Sequence, residues 1–156
     1  MVGPPRVLRF AVGTFASWQE LDNALHDLRL RGVAPDSFNC LALERALAEN
    51  SASAVVANCA GTQRLAFPDN HEAMACTSGV LADLLDARFR SGAQSLREAL
   101  GCWLIARHAT HFEGVVEAGK ILIWVRLGSP DEERCACQSL LASSSHSVGV
   151  HDLSVR

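Results

Sequence analysis

The same local pattern occurs near both ends of the chain, and it constrains the fold more than any other feature of the sequence. An apolar segment is followed by a serine and, three residues later, by a glutamate: Ser17 with Glu20, and Ser129 with Glu132. In such a capping box the two side chains satisfy free backbone amides of the first helical turn, so each serine marks a helix start. Aligning the two serines also superposes leucines further along both segments. Both ends therefore predict a strand, a helix and a second strand.

The spacing of apolar residues sets the bounds of these elements. Alternation predicts a first strand over 8–15, and apolar residues at helical spacing predict a helix over 18–31, followed by Gly32 as a left-handed cap. The remaining predictions are strands over 38–43, 121–127 and 148–155 and a helix from Pro130 to about Leu141. We expect one domain over residues 1–156, with a first βαβ unit over 7–44, an insertion over 45–118 and a second βαβ unit over 119–156.

Two such units have a simple way to combine. Right-handed split βαβ units join into a four-stranded antiparallel sheet with both helices on one face, which is the ferredoxin-like arrangement. We therefore predict an α+β fold of this ferredoxin-like split βαβ type, with the insertion placed between the second and third strands.

The insertion is predicted to be mostly helical. Its alanine-rich first part favours a helix to about Asn58, whereas 61–70, which includes a proline, is typical of a loop. Leucines predict a short helix over 79–89. A third capping box, Ser95 with Glu98, opens a long helix that we expect to continue through Val115.

A four-stranded sheet with helices on one side leaves its other face open. We expect that face to carry the following side chains: Ala11, Gly13, Leu122, Trp124, Gly149 and His151. An apolar face of this kind needs a cover. The inserted helices and a second copy of the chain are the two candidates, and the sequence leaves both open.

Several short motifs lie in and next to the two units. They are Val12-Gly13-Thr14-Phe15, Arg107-His108-Ala109-x-His111, the segment Gly119 to Arg126, Asp131-Glu132-Glu133 and the segment Ser145 to Asp152. On these motifs the chain resembles a group of uncharacterised proteobacterial proteins and, at its N-terminal end, is similar to the general-stress and heat-induced stress protein families. The resemblance implies the fold and a regulatory or stress-related setting, but no defined activity. Many of those relatives carry a long hydrophobic middle segment, which this chain lacks.

His108 and His111 form the first candidate site. They are three residues apart on one predicted helix, so their imidazoles lie on one face and are suited to bind a metal ion, with Glu113 nearby and a further ligand from elsewhere. The alternative is structural: histidines near a helix end also pack, cap carbonyls and interact with the helix dipole.

The second candidate site is the open sheet face. Alternation along the last strand places His151 on the side away from the two outer helices, where we also expect Arg9, Trp124 and Arg126. An aromatic ring, two guanidinium groups and an imidazole are suited to a small anionic ligand. The same residues are equally suited to a dimer contact or to packing against the insertion.

Composition and missing motifs exclude several classes of function. The net charge of −3, without a run of Lys or Arg, argues against binding to nucleic acid. No apolar run approaches the roughly 18 residues of a membrane span, and no signal peptide is recognisable, so we expect a cytoplasmic protein with reduced cysteines. Phosphate-binding, dinucleotide and zinc motifs do not occur, so no cofactor is predicted.

Three hypotheses about function remain. The leading one is a non-enzymatic protein that self-associates, as a homodimer, in a regulatory or stress-related role. The second is a sensor or enzyme that binds a small ligand or metal through His108, His111 and the open sheet face. The third is a scaffold that binds a protein partner through its insertion.

Overall fold

Strands from both ends and from the middle of the chain form one antiparallel sheet in the computed structural model, which describes residues 6–49, 62–65, 73–77, 79–144 and 148–155. The strands are β1 (Arg6–Phe15), β2 (Phe38–Leu43), β3 (Thr62–Leu65), β4 (Met74–Thr77), β5 (Ile121–Leu127) and β6 (Val148–Val155). Their order in the sheet is β3-β4-β2-β5-β1-β6, and every neighbouring pair is antiparallel.

Six α-helices occur within the described residues and make the fold α+β. They are α1 (Trp18–Leu30), α2 (Glu44–Glu49), α3 (Val80–Arg90), α4 (Leu96–Leu100), α5 (Ala106–Glu117) and α6 (Pro130–Ser143). Within the same ranges, none of these helices has both the length and the apolar character needed to cross a membrane.

The predicted helix starts are confirmed by the hydrogen bonds at their caps. The Ser17, Ser95 and Ser129 hydroxyls accept hydrogen bonds from the backbone amides three residues later. Gly32 follows α1 with φ +86°, a left-handed conformation that glycine adopts without a steric penalty. The strands and helices of both outer units lie where the apolar spacing predicts them.

The prediction of a four-stranded sheet is wrong, because the insertion adds β3 and β4 beside β2. Each of these strands has four residues, too few to show a clear alternation. β4 is buried at every position, so its sequence has no polar face, and β3 lies within the segment that we expected to be a loop. The predicted alanine-rich helix is present over Glu44–Glu49. Its continuation over 50–58, and the rest of the expected loop, lie outside the described residues.

The prediction of one long helix from Ser95 to Val115 is also wrong. The chain forms α4, turns over residues 101–105, and then forms the separate helix α5. Glycine costs a helix interior about 1 kcal/mol relative to alanine, so Gly101 is a weak point at which the helix ends. The turn allows α5 to pack across the sheet.

The inserted helices cover the sheet face that the sequence leaves open. Phe112 of α5 packs on Trp124 of β5, with ring centroids 5.2 Å apart. The backbone amide of Leu81, at the start of α3, donates to the side chain of Asn39, which lies opposite Trp124 in the sheet. α1 and α6 pack together on the other face. The core is continuous across both units and the insertion.

The residues of β1 that we expected on the Trp124 face lie on the opposite one. Val12 pairs with Trp124, so these two side chains share a face, and alternation turns Ala11 and Gly13 towards α6. A Cβ atom on Gly13 would lie 3.5 Å from Leu140 of α6. The error has a physical origin: β1 is buried on both faces over most of its length, so hydrophobicity alone does not separate them.

Candidate functional site

A cavity of about 340 Å³ opens between α5 and the edge strand β6, on the face that the inserted helices cover. We call it the histidine pocket. Its lining consists of Val12 and Thr14 from β1, His108, His111 and Phe112 from α5, and Val148, Gly149, Val150 and His151 from β6. Three imidazoles therefore meet apolar side chains and the backbone of an edge strand.

Helix α5 positions two of the three imidazoles. Ala109, Phe112 and Val116 recur at helical spacing and are buried, so they anchor the helix to the sheet. His108 and His111 lie one turn apart beside this stripe, the first half-buried and the second exposed at the rim. The helical spacing that suggested these residues as a pair thus also points them at the pocket.

Aromatic contacts hold the third imidazole in place. The ring of His151 lies 4.9 Å from that of His108 and 5.3 Å from that of Phe112, measured between centroids, and both contacts are edge-to-face. Phe112 in turn packs edge-to-face on Trp124. Edge-to-face geometry is the favoured arrangement for such rings, so the pocket wall is an ordered aromatic cluster.

The environment of His151 favours its neutral form. Burial lowers the pKa of His151 below its ordinary value of 6.5, the positive charge of His108 lowers it further, and Asp152 opposes both effects. Asp152 lies on the other face of the sheet, where both of its oxygens accept hydrogen bonds from Arg9 at 3.0 Å. At neutral pH the His151 imidazole therefore has one donor and one acceptor nitrogen.

The predicted metal site lacks a full set of ligands in the part of the chain that the structure describes. No group of three or more His, Cys, Asp or Glu side chains there is arranged to hold a metal ion. Glu113, which we expected near His108 and His111, accepts a hydrogen bond from the backbone amide of Arg97 at the start of α4. Metal binding by the two histidines stays a prediction.

The four residues predicted to bind a ligand do not come together. Arg126 and His151 share a face, but Phe10 lies between them in the sheet register. Trp124 is fully buried beneath Phe112, and its indole N–H has no hydrogen-bond partner among the described residues. Arg9 lies on the opposite face, paired with Glu133 and Asp152, and lines a separate cavity of about 440 Å³ at the start of α6.

The sequence did not reveal the rest of the pocket lining, namely Val12, Thr14, Phe112 and the β6 backbone. The pairing of Val12 with Trp124 would have identified Thr14, because alternation then places Thr14 on the same face of the sheet as Trp124. That pairing depends on contacts between distant parts of the chain. In comparisons with known proteins, no family model, curated protein or solved structure matches the chain.

Proposed function

We propose that the protein binds a small molecule and that the histidine pocket is its binding site. The observation that carries this proposal is a cavity of about 340 Å³ in which three imidazoles meet apolar walls. Ligand sites are typically concave and mostly apolar, with a few polar groups that fix the orientation of the ligand. The pocket also lies between α5 and two strands, which hold its lining more firmly than loops would.

The location of His151 supports this proposal. A partly buried imidazole with a lowered pKa destabilises the folded state at acid pH, and an apolar residue in its place would avoid that effect. Perturbed groups that line a cavity are candidates for functional residues. The lining residues given above include neither a carboxylate nor a thiol, so we propose binding or sensing and assign no catalytic residue.

Selective labelling of histidine offers a direct test of the site. The chain has six histidines, so the ¹³C-labelled protein gives six imidazole Cε1–Hε1 signals that single substitutions assign. We expect screening with a fragment library to shift the signals of His108, His111 and His151 together. His26 is exposed on α1, across the sheet, and its signal serves as the internal control.

Substitutions then separate binding from general effects. His108→Asn is expected to weaken binding of the fragments at least about tenfold, which corresponds to the loss of one charge-assisted or buried hydrogen bond. The matched control His26→Asn leaves binding unchanged. A library that shifts no signal of the three pocket histidines contradicts the proposed function.

The two outer units support a finer description of the fold. We infer that β2, β5, β1 and β6, with α1 and α6 on one face, form a ferredoxin-like sandwich that β4 and β3 extend. The order of these four strands in the sheet supports this inference. The regulatory or stress-related role implied by the resemblance above belongs to the same proposal, as the setting in which a bound ligand acts.

Self-association is a second candidate function, and β6 is the feature that favours it. The apolar face that suggested a homodimer is covered by α3 and α5, but β6 pairs on one side only among the described residues. An edge strand of eight residues presents free backbone groups that a second copy satisfies by antiparallel pairing.

Analytical ultracentrifugation at micromolar concentration tests this candidate, and we expect a dimer. Amide hydrogen exchange locates the contact: protection in β6 rises with protein concentration because pairing covers its outer amides. β3 is the other edge strand and provides the control, with unchanged exchange. A monomer at all concentrations contradicts self-association and leaves the pocket proposal intact.

A further inference from the structure

We propose that the ligand of the histidine pocket is a small organic anion, a carboxylate with an apolar body, whose charged group the imidazoles bind. This inference rests on the proposed function and assigns the class of ligand. It follows from the placement of charge around the pocket, from the apolar part of its lining, and from the contact between His108 and His151.

The two carboxylates that lie closest in sequence to the pocket histidines hydrogen-bond outside the cavity. Asp152 follows His151 in β6, but its carboxylate lies on the opposite face and is held by Arg9. Glu113 lies on α5 and accepts a hydrogen bond from the amide of Arg97. Neither carboxylate lines the cavity, so the imidazoles have no acidic partner within its lining. A ligand is then the group that supplies the negative charge.

The pocket histidines themselves are the basic groups that line the cavity. The titratable groups of the three surrounding elements are Arg6 and Arg9 on β1, Arg107, His108, His111, Glu113 and Glu117 on α5, and His151 and Asp152 on β6. Of these groups, only the three histidines line the cavity. Protonation of any of them gives a donor at each nitrogen and a full charge, which a carboxylate binds through a short, charge-assisted hydrogen bond.

The remaining lining favours an apolar body. Val148 and Val150 line the cavity with their backbone, because they pair with Gly13 and Ala11 and their side chains lie on the opposite face. Phe112 and Val12 present apolar side chains between the imidazoles. A planar or branched hydrocarbon group buries apolar surface against them, at roughly 25 cal/mol per Å². Inorganic phosphate offers charge without such a body, so it is expected to bind more weakly than an aromatic carboxylate of similar size.

Proton uptake gives the binding a definite dependence on pH. The pKa of His151 is lowered in the free protein by burial and by His108. The stability that neutral His151 provides is therefore fully present above pH 6.5 and is lost as pH falls through the lowered pKa of the folded state. A bound anion favours the protonated imidazole, so the affinity for an anion rises as pH falls over the same range.

The test compares benzoate with benzamide, its neutral counterpart of nearly the same shape. We expect benzoate to bind at least about tenfold more tightly at about pH 5.5 than at about pH 8, because benzoate keeps its charge over this range and favours the protonated form of His151. Benzamide is expected to bind more weakly than benzoate at the lower pH, with equal affinity at both. Isothermal titration calorimetry measures both affinities and, in two buffers of different ionisation enthalpy, the uptake of protons.

Variants identify the groups responsible. His151→Asn is expected to reduce the pH effect on benzoate affinity to less than about threefold, while His26→Asn preserves it. Circular dichroism establishes that each variant is folded. A folded His151→Asn protein that keeps the full pH effect contradicts the role of His151.

The outcomes separate this inference from the proposed function. Equal binding of benzoate and benzamide, or phosphate binding as tight as that of benzoate, overturns the assignment of a carboxylate ligand and leaves the pocket as a binding site. The same holds if neutral fragments shift the pocket histidines and carboxylates do not. If neither the fragments nor the carboxylates shift these signals, both proposals are wrong.

Discussion

Replacing Trp124 with alanine is expected to lower the free energy of unfolding by about 3–5 kcal/mol, the largest effect that we predict for a single side chain. Trp124 is fully buried near the centre of the sheet. Its ring packs edge-to-face on Phe10, with centroids 5.8 Å apart, and on Phe112 at 5.2 Å. The substitution removes both contacts and leaves a void beneath the histidine pocket. Urea denaturation followed by circular dichroism measures the loss without relying on tryptophan fluorescence.

Two further variants make this result interpretable. Trp103→Ala removes the same type of side chain at a half-buried position on the rim of the core. It is expected to lower the free energy of unfolding clearly less than Trp124→Ala does. Trp124→Phe keeps an aromatic ring and removes an indole N–H that has no hydrogen-bond partner among the described residues. We therefore expect the free energy of unfolding to fall by no more than about 2 kcal/mol. Equal losses for Trp124→Ala and Trp103→Ala would contradict the central position of Trp124.

Asn39→Ala is expected to lower the free energy of unfolding by about 2–4 kcal/mol, although it removes a small polar side chain. The side chain is completely buried. Its amide group donates to the carbonyl oxygens of Ser37 and Trp124, each at 3.2 Å, and its oxygen accepts from the amide of Leu81 at 3.4 Å. Alanine leaves these three backbone groups without this partner, in a place where water does not replace it.

The matched control for Asn39 lies on the surface. Asn23 is exposed on α1, and Asn23→Ala is expected to change stability by less than about 0.5 kcal/mol. Hydrogen exchange adds a local measurement: Asn39→Ala should expose the amides at the start of α3 more than those of α1, because Asn39 anchors Leu81 to the sheet. A loss below about 1 kcal/mol for Asn39→Ala would show that the three backbone groups find other partners.

The outer units were predictable because their signals are local. A capping box spans four residues, and the structure has its hydrogen bonds to the serine hydroxyls at Ser17 and Ser129. The strands of the insertion were not predictable in this way. β4 is short and is buried on both sides. It forms by backbone pairing with β2, and the sequence of β4 alone does not indicate this pairing.

In the candidate site, too, the residues with local signals were predictable and those that depend on long-range pairing were not. The spacing of His108 and His111 on one helix identified two pocket residues, and alternation in the last strand identified His151. Predicting the location of Arg9 would have required the register between β1 and β5. That register is determined by contacts between residues more than 100 positions apart in the chain. Because both faces of β1 are buried over most of its length, a shift by one residue exchanges two sets of residues that are both apolar.

The strand order also determines when the sheet can form during synthesis. β1 leaves the ribosome first, yet both of its neighbours, β5 and β6, belong to the last 36 residues of the chain. β2 can pair with β4 earlier, but it can pair with β5 only after β5 has been synthesised. Formation of the sheet therefore depends on contacts between distant parts of the chain, which slow folding and leave strand edges exposed meanwhile. A ribosome that pauses before residue 121 holds a nascent chain in which β1 lacks both of its neighbours, β5 and β6.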